Sequence, residues 1–225
     1  MEQHSKTEPS STNQHVAVTP STHTSDRKQH KHKQLGNTLS SIALLLLAPA
    51  LAVLLTLYVF QSYQVDGPSM EQTLQNNDRL IVWKLPRTWA RITGHQYVPK
   101  RGDIIILNES GLANYGNVDN TKQLVKRVIG LPGDRIVVKD NVLTVYNSAH
   151  PKGFQPDATL PYGKNGAIPP TTNDLDIQLS STQIFVCGDN RPNSLDSRTF
   201  GPVDTSQIIG KLVVRILPLD AMKIF

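Results

Sequence analysis

Residues 123–146, QLVKRVIGLPGDRIVVKDNVLTVY, determine how the second half of the chain folds. They contain three runs of aliphatic and β-branched residues, separated by Gly130 to Asp134 and by Asp140-Asn141. Short runs of this kind, bounded by Gly, Pro, Asn and Asp, are typical of β-strands. A two-residue polar linker between two runs also predicts a tight hairpin turn. The stretch therefore predicts successive antiparallel strands.

Similar runs lie on both sides of this stretch. Between residues 61 and 225 the pattern predicts seven strands, at Arg79 to Lys84, Asp103 to Leu107, Gln123 to Ile129, Arg135 to Lys139, Val142 to Tyr146, Ile184 to Cys187 and Ile208 to Leu217. No long amphipathic helix competes with them. The predicted fold class is therefore mainly β, an antiparallel-sheet domain built from hairpins around a sheet or partly closed barrel. Residues 147–180 interrupt the pattern with Pro, Gly and Asn and predict a small irregular excursion.

An uncharged segment, residues 42–60, precedes this domain. About 19 predominantly apolar positions are long enough to cross a hydrocarbon core as a helix, and a proline such as Pro49 is tolerated there. Basic residues lie before the segment, at Arg27, Lys28, Lys31 and Lys33. The positive-inside rule then places the N-terminus in the cytoplasm. We expect a transmembrane helix over residues 39–60 and a single-pass protein of the cell membrane, with residues 61–225 outside the cytoplasm.

Residues 1–38 are rich in Ser, Thr, Gln, His and Lys and have few apolar side chains. Such a segment cannot bury enough surface to offset the entropy of ordering, so we expect a disordered cytoplasmic tail. Five of the seven histidines lie here, including His30 and His32. No acidic or cysteine ligand lies within the cluster that His30 and His32 form with Lys28, Lys31 and Lys33, and the sequence predicts no metal site.

The charge distribution argues against nucleic acid as a partner. The chain has 23 Lys and Arg against 18 Asp and Glu, for a formal charge of +5. Residues 1–37 hold five basic and three acidic residues, and the remaining excess forms no basic block. Cys187 is the single cysteine, which excludes an intrachain disulfide and a cysteine-based zinc site. A hydrophobic content of 38% is sufficient for a folded core.

Polar residues with possible chemistry lie in four stretches of the β domain, Val65 to Met70, Arg101 to Asp103, Lys126-Arg127 and Gly188 to Arg198. Each has a purely structural interpretation on its own, as a turn, a strand start, a snorkelling lysine or a solvated loop. Strand alternation turns Lys126 inward, on the face that carries Leu124 and Val128. Burial would lower the pKa of such a lysine, so that the amine can accept a proton. Together, Ser69, an inward lysine and a polar loop make a serine nucleophile with a lysine base.

In their order along the chain and in their residues, these four motifs resemble those of bacterial type I signal peptidases. The resemblance runs through nearly the whole β domain and includes the uncharged segment before it. It implies the β fold of signal peptidases and self-cleaving repressors, in the short form with a single anchor. It also implies a membrane-bound serine endopeptidase that removes N-terminal signal peptides after a small-x-small site. Its partners would be secretory preproteins and the lipid bilayer, with no metal or organic cofactor, and we expect a functional monomer.

Carried over to this sequence, the resemblance makes Ser69 the nucleophile and Lys126 the general base, and makes Ser194 the residue that orients the lysine. Four charged residues match those that brace the site in the family, Asp189, Asp196, Arg127 and Arg198. The backbone N–H of Ser69 would supply one oxyanion donor. We also expect an edge for the substrate strand at residues 66–69 and in the strand before Lys126.

Two positions depart from the family pattern. Gly67 replaces a serine that supplies a second oxyanion donor in relatives with larger catalytic domains, as in the shorter members. Gln72 stands where the pattern has proline. Unlike proline, glutamine has a backbone N–H and an unrestricted φ. For the small-residue pocket, we predict a lining of Met70, Leu74 and Val125.

Two other functions are compatible with the sequence. Gln72 is the one feature that favours a degenerate domain that binds preproteins without cutting them. Cys187 could serve a sortase-like transpeptidase, assisted by His95 or His150. Because Cys187 follows Phe185-Val186, a buried core thiol is the simpler interpretation.

Overall fold

The computed structural model describes residues 26–109, 122–164 and 167–225. Within its first helix, the side chains are described for Ser41 and from Ala43 onward. The predicted disorder of residues 1–25 and the side chains of His30 and His32 lie outside the described residues. The boundary between two compact units of the chain falls after Ala50.

The first element is helix α1, Asp26–Tyr58, with Pro49 inside it. It begins earlier than the predicted start at residue 39. Residues 27–34 are all Lys, Arg, Gln or His, and Lys, Arg and Gln have good helix propensity, so the helical backbone continues through them. In the part of the chain that the structure describes, no helix combines the length and the hydropathy needed to cross a membrane.

The second unit is built mainly from antiparallel strands. In chain order its elements are β1 Phe60–Gln64, β2 Arg79–Trp83, α2 Leu85–Thr93, β3 Ile104–Glu109, β4 Lys122–Gly130, β5 Arg135–Lys139, β6 Val142–Tyr146, α3 Pro156–Thr159, β7 Leu175–Gln178, β8 Gln183–Cys187, α4 Ser197–Phe200, β9 Val203–Asp204, β10 Ile208–Leu217 and β11 Lys223–Ile224. The main sheet has the order β1-β2-β10-β3-β4-β8-β9, and β11 pairs with β10. A smaller sheet has the order β6-β5-β7. The mainly β class is confirmed.

All seven predicted strands are present, and their ends differ from the predicted ones by at most two residues. The hairpin at Asp140-Asn141 joins β5 and β6, and both residues have positive φ. The excursion at residues 147–180 is not wholly irregular, because it contains α3 and β7. Strand β7 pairs with β5, with Asp176 opposite Val137. Helix α2 was also missed, although Gly94 ends it at φ 71°.

The two sheets share one core. Ile129, Phe185 and Cys187 of the main sheet pack against the buried aliphatic residues of the smaller sheet, Ile136, Val138, Leu143 and Val145. Gly130 lies at the closest approach, since a Cβ there would meet Ile136 at 2.7 Å and Leu179 at 2.8 Å. The close fit fixes the end of β4, and β4 carries Lys126.

Strand β4 has different neighbours along its length. Its first five residues, Lys122 to Lys126, pair with β3. Pairing with β8 begins only at Arg127, which lies opposite Cys187. Within the described residues, the other edge of residues 122–126 is therefore open. Lys126 stands where this open edge ends.

Candidate active site

Ser69 lies in a hydrogen-bonded turn between β1 and β2. Gly67 begins the turn with a φ of +96°, a backbone conformation that is strained for residues other than glycine. The Gly67 N–H donates to Asn76 Oδ1 at 3.0 Å. Beyond the serine, the Leu74 N–H donates to the Met70 carbonyl at 2.7 Å. The turn holds Ser69 half-buried at the end of β1.

Lys126 reaches this serine from β4. Its Nζ lies 2.8 Å from Ser69 Oγ and also donates to the Val125 carbonyl at 3.1 Å. The lysine is only 3% exposed. Burial lowers its pKa from 10.5 to about 8, against the smaller opposing effect of Asp196. A cation with little solvation loses its proton more readily, so the site contains an amine that can act as a base near neutral pH.

The loop from Gly188 packs directly on the serine turn. The Asn190 N–H donates to the Ser69 carbonyl at 3.0 Å, and Asn190 Nδ2 donates to the Pro68 carbonyl at 3.1 Å and to Glu71 Oε2 at 3.0 Å. A Cβ on Gly188 would lie 2.4 Å from the Ser69 carbonyl oxygen, so only glycine allows this approach. Asn190 was missed among the site residues, although it lies within the motif at residues 188–198.

Asp189 and Arg127, both predicted as bracing residues, form a buried ion pair. Arg127 Nε and Nη2 lie 2.7 and 2.5 Å from the two carboxylate oxygens of Asp189. The Thr73 hydroxyl donates to the same carboxylate at 2.5 Å. Arg127 Nη1 donates to the Gly102 carbonyl at 2.7 Å. This one pair therefore joins the serine turn, the Arg-Gly-Asp motif, β4 and the loop.

Asp196 and Arg198, the other predicted bracing residues, form a second pair. Arg198 Nε and Nη2 each lie 2.8 Å from one oxygen of the Asp196 carboxylate. The same carboxylate accepts the Gly188 N–H at 3.0 Å. The pair closes the loop on itself beside Lys126, since Asp196 also acts on the pKa of that lysine.

Arg191 lies in the same loop and is the third buried arginine of the site, after Arg127 and Arg198, and it was not among the predicted site residues. It is 1% exposed and donates through Nε to the Gly188 carbonyl at 3.1 Å. It also pairs with Asp157 and donates to Thr171, both from the excursion at residues 147–180. The position of Arg191 in the Gly-Asp-Asn-Arg motif could have indicated that it belongs to the site, but its partners are distant in sequence.

The Ser194 hydroxyl accepts the Gly188 N–H at 3.1 Å. Within the described residues, the hydrogen bonds of Lys126 Nζ go to Ser69 and to the Val125 carbonyl. Ser194 thus lies in the site loop, and its role in orienting Lys126 stays a prediction.

A cleft of about 310 Å³ opens beside Ser69 and Lys126. Its apolar lining includes Tyr63, Val65, Leu80, Ile106 and Val125. Of the three predicted pocket residues, Val125 is therefore in the cleft wall.

Met70 and Leu74 are not in that wall, which corrects the prediction. Both are fully buried in a core cluster with Val65, Ile104 and Leu212. The turn leaves Ser69 partly exposed and directs the side chains of Met70 and Leu74 into the core. These two side chains therefore stabilise the turn by packing beneath it.

Cys187 is fully buried in the core between the two sheets. Burial raises the pKa of its thiol far above the usual range, which leaves no reactive thiolate. His95 and His150 are both exposed on the surface. The structure therefore contradicts a nucleophilic role for Cys187. Among residues 26–109, 122–164 and 167–225, no group of three His, Cys, Asp or Glu side chains could hold a metal ion.

The fold and the site together define a mainly β protein with a serine–lysine pair at an open cleft. The family described as signal peptidase, peptidase S26, matches residues 38–217. The chain belongs to this family.

A probable signal peptidase I-1 from Synechocystis sp. is 33% identical, over 79% of this chain and 82% of that protein. A signal peptidase I P from Bacillus subtilis subsp. natto is also 33% identical, over 85% and 95%. A crystal structure of a signal peptidase I from Enterococcus faecalis V583 is 29% identical, covers 51% of this chain and 97% of that one, and superposes with a TM-score of 0.37. The sequence matches define the protein as a peptidase that removes signal peptides.

Proposed function

We propose that the peptidase cuts secretory preproteins with Ser69 as the nucleophile and Lys126 as the general base. The observation that carries this proposal is the 2.8 Å separation between Lys126 Nζ and Ser69 Oγ, made by a lysine that is almost wholly buried. A serine hydroxyl is a weak nucleophile and needs an adjacent base. A lysine with a pKa of about 8 supplies one, since roughly a tenth of its molecules are neutral at pH 7.

The reaction follows from this pair. The neutral amine takes the Ser69 hydroxyl proton while Oγ attacks the scissile carbonyl, and a tetrahedral oxyanion forms. The resulting ammonium then protonates the leaving amine, and an acyl-enzyme remains. Water, activated by the same amine, hydrolyses the acyl-enzyme and restores the serine.

The oxyanion needs a donor in the serine turn. The Ser69 N–H donates no hydrogen bond to any described residue, whereas the Gly67 N–H is already taken by Asn76. We therefore assign the Ser69 N–H as the oxyanion donor and Gly67 as the residue whose positive φ aims it.

The substrate would bind as an extended strand. Residues 63–69 and 122–126 face the cleft, and the second of these segments has an open edge in the described chain. Main-chain pairing to such an edge supplies affinity, and the pockets for alternate side chains supply selectivity. An apolar cleft wall that includes Val125 favours small apolar residues at alternate positions of the bound strand, which is the small-x-small pattern. The peptidase needs no second copy for this geometry, and we propose a functional monomer.

The anchor proposed at residues 39–60 completes this assignment. The uncharged segment and the basic residues before it support a single span, with the N-terminus in the cytoplasm. A signal peptide of a preprotein lies in the same bilayer, so anchoring replaces a search in three dimensions by a local encounter. Protease added to sealed, right-side-out vesicles should digest the β domain and spare residues 1–38. The reverse pattern would contradict this topology.

The test of the mechanism is cleavage of a preprotein by the detergent-solubilised full-length chain, with sequencing of the product N-terminus. The wild type should cut after a small-x-small site, and Ser69→Ala and Lys126→Met should be inert. Ser148→Ala and Lys139→Met, both exposed, are the matched controls and should cut normally. An inert wild type, or cutting by Ser69→Ala, would refute the assignment.

A further inference from the structure

Residues of the excursion at 147–180 reach the active site from outside the main sheet. Arg191, in the loop that packs on the serine turn, has a fully buried side chain, and its carboxylate partner Asp157 belongs to α3. Both carboxylate oxygens of Asp157 bind the guanidinium, with Oδ1 at 2.7 Å from Nη2. The Thr171 hydroxyl accepts from Nη1. Within the described residues, the two terminal nitrogens of Arg191 therefore bond only to the excursion.

The rest of Arg191 holds the loop in place. Its Nε donates to the Gly188 carbonyl at 3.1 Å, and its own carbonyl accepts from Arg198 Nη2 at 2.7 Å. Between these two points lies Asn190, whose N–H donates to the Ser69 carbonyl. A shift of the Arg191 side chain would therefore move the backbone that contacts the serine.

A second contact of the excursion reaches β4. The Arg127 guanidinium lies over the ring of Tyr162, 4.3 Å from its centroid. Such a contact is stronger when it is shielded from water, and Arg127 is only 5% exposed. Burial raises the pKa of Tyr162, so its hydroxyl keeps the proton that it donates to Asp157 Oδ1 at 3.0 Å. Asp157 and Tyr162 thus form one bonded unit that contacts two buried arginines of the site.

The excursion is itself fixed to the smaller sheet. Val145 of β6 and Phe154 exchange two backbone hydrogen bonds, at 2.8 and 2.9 Å, just before α3. After α3, the Thr171 N–H donates to the Asn141 carbonyl at 3.0 Å. Because these attachments lie on both sides of α3, the side chains of this region are held on a rigid support, which is what precise positioning requires.

We propose that Asp157 and Tyr162 are positioning residues for the cleavage reaction. Asp157 acts through Arg191 on the loop at residues 188–198, and Tyr162 acts through Arg127 on β4. The inference rests on the proposed function, because it concerns the geometry of the proposed serine–lysine pair. Among the described residues, those that line the cleft include neither Asp157 nor Tyr162, so both act on the pair and not on the substrate.

The test measures kcat, KM and stability of the detergent-solubilised full chain with a signal-peptide substrate. Asp157→Asn leaves Arg191 buried without its carboxylate. We expect kcat to fall about 10- to 100-fold while KM changes by less than about threefold, since a displaced catalytic pair slows the chemical step more than it weakens binding. The matched control is Asp176→Asn, which removes the carboxylate from the half-exposed pair with Arg135 in the smaller sheet. It should keep the wild-type kcat.

The aromatic contact has its own pair of variants. Tyr162→Leu should lower kcat by about threefold to tenfold, because a ring holds a cation less strongly than a carboxylate does. Tyr146→Leu removes the ring that lies against Arg135 in the smaller sheet, away from the site, and should leave kcat unchanged.

A double variant separates positioning from a purely structural role. Asp157→Asn with Arg191→Met no longer buries an unpaired cation, so it should unfold at a higher urea concentration than Asp157→Asn alone. Its kcat should stay as low, because the bond from Arg191 Nε to the Gly188 carbonyl is also lost. A kcat that recovers together with stability, or a kcat of Asp157→Asn within about twofold of the wild type, would overturn the proposal.

Hydrogen exchange in a Ser69→Ala chain separates this inference from the proposed mechanism, since it needs no cleavage. Mass spectrometry follows peptides from residues 65–74 and 188–198. In that chain Asp157→Asn should speed exchange in both peptides by about tenfold or more, and Asp176→Asn should not. Faster exchange in a chain whose Ser69→Ala form still cuts would refute the mechanism and support the coupling. Unchanged exchange, with an active wild type and an inert Ser69→Ala, would refute the positioning role alone.

Discussion

Lys126 and Arg127 are adjacent cations on β4, both nearly buried, and they differ in what surrounds the charge. Arg127 is held by two oxygens of Asp189 and by the Gly102 carbonyl. Lys126 has a serine hydroxyl and one carbonyl, and its pKa falls to about 8. A buried cation that is paired with a carboxylate, such as Arg127, stabilises the arrangement of the segments it joins. A buried cation without a directly bonded carboxylate, such as Lys126, loses its proton more readily and can act as a base. Alternation along one strand places these two environments on opposite faces.

The largest expected effect comes from giving Lys126 the permanent charge of its neighbour. Lys126→Arg keeps a cation at the site but removes the proton acceptor, because a guanidinium does not lose its proton near neutral pH. We expect a loss of about 1,000-fold or more in kcat/KM, measured on a signal-peptide substrate. Lys126→Met should lose as much activity. Measurable turnover by Lys126→Arg would show that another group is the base.

The two lysine variants should differ in stability. Lys126→Met removes a cation that is costly to bury, so we expect its free energy of unfolding at pH 7 to exceed that of the wild type by about 1–3 kcal/mol. Lys126→Arg should unfold more easily than Lys126→Met. Urea titration of the full chain in detergent measures both, and a destabilised Lys126→Met would contradict the desolvation argument.

The second prediction removes the compensated charge. Arg127→Met leaves the Asp189 carboxylate buried without its cation, and we expect a loss of about 3–5 kcal/mol in the free energy of unfolding. The matched control is Arg135→Met, which breaks the half-exposed ion pair with Asp176 and should cost less than about 1 kcal/mol. Equal losses in the two variants would show that the Arg127 pair does not hold the site together.

The third prediction concerns pH. The neutral amine of Lys126 is the active form, so kcat/KM should increase with pH, and the midpoint of this increase should lie near pH 8. The folded pKa lies below the unfolded value of 10.5, so the unfolded chain binds more protons between these values. Stability should therefore rise with pH from about 8 to 10.5, relative to Lys126→Met. Lys122 lowers the pKa of Lys126, and Lys122→Gln should move the activity midpoint to higher pH. A midpoint unaffected by Lys122→Gln would count against Lys126 as the titrating group.

A third neighbour on the same strand tests selectivity. Val125 lines the cleft, and Val125→Ala should enlarge it enough to admit one bulkier residue at the cleavage site, with a gain of about tenfold for such substrates. Competition between two peptides that differ at that residue measures the change. Unchanged selectivity would remove Val125 from the pocket.

The smallest effect is expected at Gln72. Its N–H donates no hydrogen bond to any described residue, and its side chain is exposed. Gln72→Pro should therefore change the free energy of unfolding by less than about 1 kcal/mol and leave cleavage intact. A loss of activity would show that this turn depends on the freedom that glutamine provides.

Motif order and strand alternation were sufficient to predict that Ser69 and Lys126 belong to one site. They did not predict Arg191, because its partners Asp157 and Thr171 come from a segment without a strong pattern. They assigned Met70 and Leu74 to the pocket, since a turn sequence does not indicate which side chains point outward.

The missed elements have similar causes. Strand β7 is four residues long and is stabilised by pairing with β5, so its own sequence predicts little. Helix α2 is short, and its apolar stripe faces outward, which is the opposite of what a soluble fold predicts. Local patterns were informative where the partners of a residue are close in sequence, and they failed where those partners lie in a distant segment.

The edge of β4 that is open within the described residues also creates a risk of self-association. An unpaired strand edge is a template for another extended chain, including a second copy of the same protein. Lys122 and Gln123, both exposed, stand at the start of this edge, and charged or polar residues there disfavour aggregation. Under the proposed function the substrate strand pairs with this edge, so the edge cannot be covered permanently. The exposed Lys122 and Gln123 at the start of β4 therefore disfavour pairing with a second copy without covering the edge.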